Sequence, residues 1–153
     1  MSYAYTLRPA TAGDYDFLYA LHVATIRAAV EATWGWDDAF QARYFHEHFV
    51  PEEIQVILVE GQEVGVLRLE ERDGDLFIAL IEIAPAFQGA GLGSQIIRDV
   101  VAAAFARGQA VSLHVLKANP GARRMYERLG FQIVETREER YVMRLVPPMP
   151  EEQ

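Results

Sequence analysis

The chain contains no cysteine. This excludes disulfides, thiolate metal sites and a cysteine nucleophile together, and it fits a reducing, cytoplasmic setting. Lysine is nearly absent too: Lys117 stands alone among the cations with the arginines, and the formal net charge is -8. A nucleic-acid partner normally requires a basic face, so none is expected. No apolar run approaches the ~20 residues that span a bilayer. The start, Met1 to Arg8, lacks the basic-then-apolar pattern of a secretory leader, so neither membrane nor export is expected. There is no internal repeat. His46 and His48 lie two apart on an expected helix and diverge, while His22 and His114 are isolated in sequence, so no metal site is expected.

What is present is an ordinary globular composition, 51% hydrophobic and 24% charged over 153 residues, which predicts one domain. We place it at 3-146. The tail, 147-153, holds three prolines, two glutamates and a glutamine, and is expected to fray.

Periodicity divides the domain. A β-prone run, Tyr3 to Arg8, ends at Pro9. Thr11 and Asp14 have capping-box spacing, so a helix follows to about Ala32, with Tyr19, Val23, Ile26 and Val30 on one face and Leu18, Leu21 and Ala28 beside them. A tryptophan-bearing turn, Thr33 to Asp38, restarts a second helix capped by Asp37 or Asp38 and running to Phe49. Three strands are then expected at Gln55–Glu60, Val64–Arg72 and Leu76–Ile83, joined by Gly61-Gln62 and Asp73-Gly74 as hairpin turns. The third is apolar throughout and reads as central. A helix ending at Gly108, a strand Val111–Val115, a helix from Asn119-Pro120 to Leu129 and a hairpin of Phe131–Thr136 with Tyr141–Val146 complete the chain. The order β-αα-βββ-α-β-α-ββ is an α/β chain, and because hairpins alternate with helical crossovers its sheet is mixed.

Gln88-Gly89-Ala90-Gly91-Leu92-Gly93 carries the chemistry. Three glycines stand where an apolar strand stops and a helix begins, which lets main-chain N–H groups approach an anion at the positive end of the helix dipole. A P-loop would end in Gly-Lys-Ser/Thr, yet Gly93 is followed by Ser94 and Gln95. A dinucleotide loop would be spaced G-x-G-x-x-G near the first strand, and this one is G-x-G-x-G past mid-chain.

The pattern Gln88-x-x-Gly91-x-Gly93 after Ile81-Glu82-Ile83-Ala84-Pro85 resembles the signature of the GNAT acetyltransferase superfamily. A second stretch, Val115-Leu116-Lys117-Ala118-Asn119, Ala122 and Met125-Tyr126-Glu127-Arg128-Leu129-Gly130-Phe131, resembles that family's downstream motif. The resemblance covers Leu7 to Leu145. It implies a GNAT fold, a mixed and mostly antiparallel sheet with flanking helices, and transfer of an acetyl group from acetyl-CoA to a primary amine, that of a small, cationic molecule with a peptide amine also open, by direct attack in a ternary complex. A non-catalytic acyl-CoA-binding or regulatory module is the alternative. A homodimer is open to it, as many relatives are dimers.

The resemblance also assigns roles. Main-chain groups of Ile81, Ile83 and Ala84 would pair with the pantetheine arm in an opening beside Val111–Val115, the Ile83 N–H serving as oxyanion donor. Gln88, Gly89, Ala90, Gly91, Leu92, Gly93 and Ser94 would hold the diphosphate, Gln88 adding a side-chain donor. Tyr126 would protonate the departing thiolate, or it is a core aromatic. Asn119 either touches the cofactor arm or simply caps its helix. Lys117, Arg123 or Arg124 would meet the 3′-phosphate.

An alkylammonium is not a nucleophile at pH 7, so a base is also needed. Glu82, a carboxylate in an apolar strand end, is the candidate. Its side chain faces away from those of Ile81 and Ile83, which leaves a surface or ion-paired role open. The acceptor is expected near the turn between the first two helices, with Glu31 and Trp34 in contact. Trp36, Asp37 and Asp38 lie nearby, the two acids also reading as helix caps.

Overall fold

The structure, a computed structural model, describes residues 3-149; residues 150-153 of the expected tail lie outside them. Seven strands form one sheet: β1 (Tyr5–Pro9), β2 (Gln55–Val59), β3 (Gln62–Arg72), β4 (Asp75–Ile83), β5 (Val111–Leu116), β6 (Gln132–Thr136) and β7 (Arg140–Leu145). Their spatial order is β1-β2-β3-β4-β5-β7-β6. Every pair is antiparallel except β4 with β5. Four helices flank it: α1 (Tyr15–Trp34), α2 (Asp38–His48), α3 (Leu92–Ala106) and α4 (Pro120–Arg128). The element order and the central place of β4 match the expectation from the sequence.

Local details differ in instructive ways. β1 runs through Pro9 instead of ending before it, which an edge strand tolerates because one side of its backbone needs no ladder partner. The β2–β3 turn is centred on Glu60-Gly61, one residue earlier than expected. Glu60 has φ 52° and Gly61 φ 77°, and Asp73 and Gly74 repeat this at 52° and 85°. Positive φ at both positions gives the twist that a two-residue hairpin needs. On α1 the buried stripe is Leu18, Leu21 and Ala29, while Ala28 is exposed. Tyr19 is half-buried because α2 covers that shoulder: Phe45 stands 5.2 Å from Tyr19 and 5.3 Å from Tyr15.

Alternation along the central strands divides the core between the two faces of the sheet. Ile57, Leu67, Ile78, Ile96, Leu113 and Met143 belong to the side covered by α3 and α4. Val56 and Val66 pack with Leu18, Leu21 and Ile54 under α1 and α2. β1 is tied to this second side through Arg8, whose guanidinium grips both oxygens of the buried Asp14 at 2.9 Å. Asp14 also accepts the Thr11 N–H at 2.8 Å, half of the expected capping box.

Candidate active site

The site starts with a break in the sheet. β4 and β5 share three rungs, Leu76 with Val111, Phe77 with Ser112 and Ile78 with Leu113, and then their pairing stops. At the same level the β3–β4 register slips, Arg68 facing Leu80 and Leu69 facing Ile78, so Ala79 is an extra residue on β4. Such a bulge bends and twists its strand. Beyond it β5 continues against β7 alone.

The last residues of β4 therefore border an opening. Ala84 donates its N–H to the Val64 carbonyl at 2.8 Å. Main-chain direction alternates along an antiparallel strand, so Leu80 and Glu82 are also turned to β3, and Ile81 and Ile83 present their N–H and C=O groups to the opening. Gln88 does not extend its side chain over the glycine turn as expected. Its Nε2 donates to the Ile83 carbonyl at 2.8 Å.

A short turn, Pro85–Phe87, leads into the glycines. Gly89 and Gly91 have φ of 79° and 90°, a region that L side chains rarely adopt, and a Cβ at either would meet nothing within 4 Å. Gly91 caps α3 without a side chain, and the first N–H groups of a helix have no partner inside it. Leu92 is buried and anchors this end, while Gln95 is turned back to Tyr3, accepting its N–H and donating to its carbonyl at 2.7 Å each. An open, glycine-rich turn at a helix start suits a diphosphate of the size coenzyme A carries.

Tyr126 lies 8% exposed in the α3–α4 side of the core, against which Ile81 and Ile83 also pack. Its ring is 6.0 Å from that of Phe131. Burial pushes the phenol up to about 12, so it holds its proton at neutral pH. Asn119 accepts the Ala122 N–H at 3.2 Å as the cap of α4.

Glu82 stands on the opposite face. Its side chain is 5% exposed, and Oε2 lies 2.8 Å from Nδ1 of His22. Oε1 is buried and has no hydrogen-bond partner among the described residues. The carboxylate borders a cavity of about 140 Å³ walled by Leu18, Phe45, Phe49, Ile54 and Leu80, with Tyr44, His48 and Arg68 at its polar parts. An apolar cavity of about 150 Å³ admits benzene.

Glu31 and Trp34 do not line this cavity. They follow His22 by nine and twelve residues on α1, about 13 and 18 Å along the helix axis. Trp34 is 59% exposed, Glu31 faces Arg27 at 3.8 Å, and Asp37 caps α2 through the Phe40 N–H while Asp38 accepts from Trp36. His22 and the aromatic wall of α2 were missed in the sequence. The available signal was that His22 follows Leu18 by one helical turn, on the stripe that faces the sheet. Among the described residues no three His, Asp or Glu side chains gather as a metal site.

Comparison with known proteins gives a consistent picture. The model of the acetyltransferase (GNAT) family matches residues 16-131. N-alpha-acetyltransferase RimI of Mycobacterium tuberculosis is 39% identical over 61 residues, which is 40% of this chain and 37% of that protein. The fold resembles PaiA N-acetyltransferase from Thermoplasma acidophilum in complex with coenzyme A, with TM-score 0.72, 12% identity, and coverage of 94% of this chain and 99% of that one. It also resembles Arabidopsis thaliana Naa50 in complex with the bisubstrate analogue CoA-Ac-MVNAL, with TM-score 0.58, 18% identity, and coverage of 93% and 98%.

Proposed function

The chain belongs to the acetyltransferase (GNAT) family, and from that premise we propose that it transfers an acetyl group from acetyl-CoA to the primary amine of a small cationic molecule, by direct attack in a ternary complex. The observation that carries this reading is the buried Glu82 carboxylate, with one oxygen unpartnered, beside an apolar cavity at the end of the splayed strand.

Acetyl-CoA supplies an activated acyl thioester. The chain's own residues divide the remaining work. Main-chain N–H groups from Gly89 to Ser94 hold the diphosphate, and Ile81 and Ile83 pair with the arm, the Ile83 N–H donating to the carbonyl oxygen as charge builds there. Tyr126 donates a proton to the sulfur. Glu82 receives one from the ammonium. Tyr126 belongs to the core on one face of the sheet and Glu82 borders the cavity on the other.

The cavity narrows the acceptor. Its walls take an apolar group about as large as a benzene ring, and Glu82 binds the positive charge. Beside it, sharing Arg68, runs a groove lined by Glu52, Glu53, Glu70 and Glu71, which favours approach by a cation.

Thiol release from acetyl-CoA is the test, measured with 2-phenylethylamine, isoamylamine, putrescine and a short peptide as acceptors. Turnover with 2-phenylethylamine at least about tenfold more efficient than with putrescine is expected, since burying a ring contributes about 1.5–3 kcal/mol, tenfold or more. Binding of acetyl-CoA without thiol release on any of these amines overturns the reading in favour of a non-catalytic module.

A further inference from the structure

Glu82 and His22 are 60 positions apart in sequence and meet through one atom pair, Nδ1 to Oε2 at 2.8 Å. Beside an ionised carboxylate the imidazole bonds through Nδ1–H, which leaves Oε2 occupied and Oε1 free. A buried polar atom left unpartnered calls for an explanation, and a donor brought by a ligand is one. The ring of His22 is itself held, 5.4 Å from that of Phe45 on α2. The two oxygens of one carboxylate thus have different surroundings, one satisfied by α1 and one without a partner among the described residues.

Resting on the acceptor reading above, we propose that His22 is the positioning residue of this site: its Nδ1–H fixes Oε2 so that Oε1 is the atom that binds and deprotonates the incoming ammonium. In that step an N–H bond breaks, its electron pair stays on nitrogen and makes the amine a nucleophile, and an O–H bond forms at Oε1. The proton returns to solvent once the product has left.

The neighbours that also titrate or carry charge are Tyr44 and His48 from α2 and Arg68 from β3. Arg68 is engaged by Glu53 and Glu70. His48 donates from Nδ1 to the Tyr44 carbonyl, 2.8 Å away. Among the described residues, His22 is the side chain that meets the Glu82 carboxylate.

The test compares three substitutions with acetyl-CoA and 2-phenylethylamine. His22→Leu keeps bulk and loses the donor. His22→Asn sets an amide N–H near the Nδ1 position, and His22→Gln sets it near Nε2, where it cannot meet Oε2. Leu and Gln are expected to lower kcat about 100-fold, with the affinity for acetyl-CoA unchanged and the acid limb of the kcat profile displaced upward, because a carboxylate that loses a donor holds its proton more tightly. Asn is expected to restore most of both. Should the Leu variant fail to fold, Gln alone carries the comparison with Asn. The proposal is overturned if Leu or Gln stays within about threefold of the wild type, or if Asn is as impaired as Gln with the limb unmoved. Glu82→Gln separates the two readings. If it is fully active, the base itself is misassigned; if it is inactive while His22→Leu is active, the loss falls on His22 alone.

Discussion

Ile78 and Leu113 form the last rung between β4 and β5. One residue later Ala79 bulges out of the β3–β4 ladder, and the two central strands part. A parallel pair that separates at its C-terminal end leaves unpaired main-chain groups in the middle of the sheet, where an extended ligand can pair with them as an added strand.

Gly91 tests the anion turn. Gly91→Glu puts bulk and negative charge where the diphosphate is proposed to sit, and calorimetry is expected to detect no binding of acetyl-CoA. Gly91→Ala meets no neighbour, but at φ 90° it costs about 1 kcal/mol of folding stability, readable by urea denaturation. Normal affinity in the Glu variant would remove the turn from the site.

Tyr126→Phe is expected to lower turnover about 100-fold or more while leaving the Kd of acetyl-CoA unchanged. Because burial raises the phenol from 10.0 to about 12, its protonated form persists well above neutrality, so the wild-type rate shows no alkaline loss from Tyr126 between pH 8 and about 10. In stability the sign is the same: its contribution is complete below about pH 10 and is lost as the pH rises through about 12. A rate unchanged by the substitution across this range would leave Tyr126 a core aromatic.

Asp14→Asn probes the link between β1 and α1. The Arg8 guanidinium first, and then the Thr11 N–H, hold the Asp14 carboxyl well below the usual carboxylate range against the opposing effect of burial. A charged, hydrogen-bonded group of this kind contributes about 2 kcal/mol. A group with a lowered folded value stabilises fully above its unfolded value, so the gap between wild type and variant is complete at pH 7. It narrows as the pH falls below about 4, as urea midpoints at pH 7, 4 and 3 will report.

Gly65→Ala addresses the strand beneath the site. A Cβ there would stand 2.5 Å from the main-chain oxygen of Glu82 and 3.1 Å from the side chains of Ile57 and Ile83, so β3 and β4 must move apart. We expect a loss of about 1–3 kcal/mol in denaturant unfolding and, because Glu82 moves with its strand, reduced turnover in the fraction that remains folded. Wild-type values of both would show that the ladder is slack at this point.

Much of the frame was readable because local physics imposes it. Asp37 and Asn119 cap α2 and α4 as their side chains dictate, and Asp73-Gly74 turns the β3–β4 hairpin. The alternation of Ile81, Glu82 and Ile83 correctly placed the carboxylate on the other face from its neighbours. The cavity beside Glu82 was not readable in the same way. Trp34 and Glu31 lie farther along α1 and do not line it, and Phe45 and Phe49 provide its aromatic wall. Gln88 was expected to reach the anion turn, yet a carbonyl at the strand end, Ile83, lay within reach of its amide.

Spacing along the chain determined the elements, the glycine turn after β4 and the motif-bearing helix with Tyr126, because capping, turn chemistry and periodicity act over a few residues. Tertiary structure alone decided that β4 parts from β5 after Ile78, that Tyr126 and Glu82 belong to opposite faces of the sheet, and that His22 meets Glu82. Those relations join residues tens of positions apart, and they depend on sheet twist and on how α1 and α2 cross the sheet. No short-range pattern carries that information.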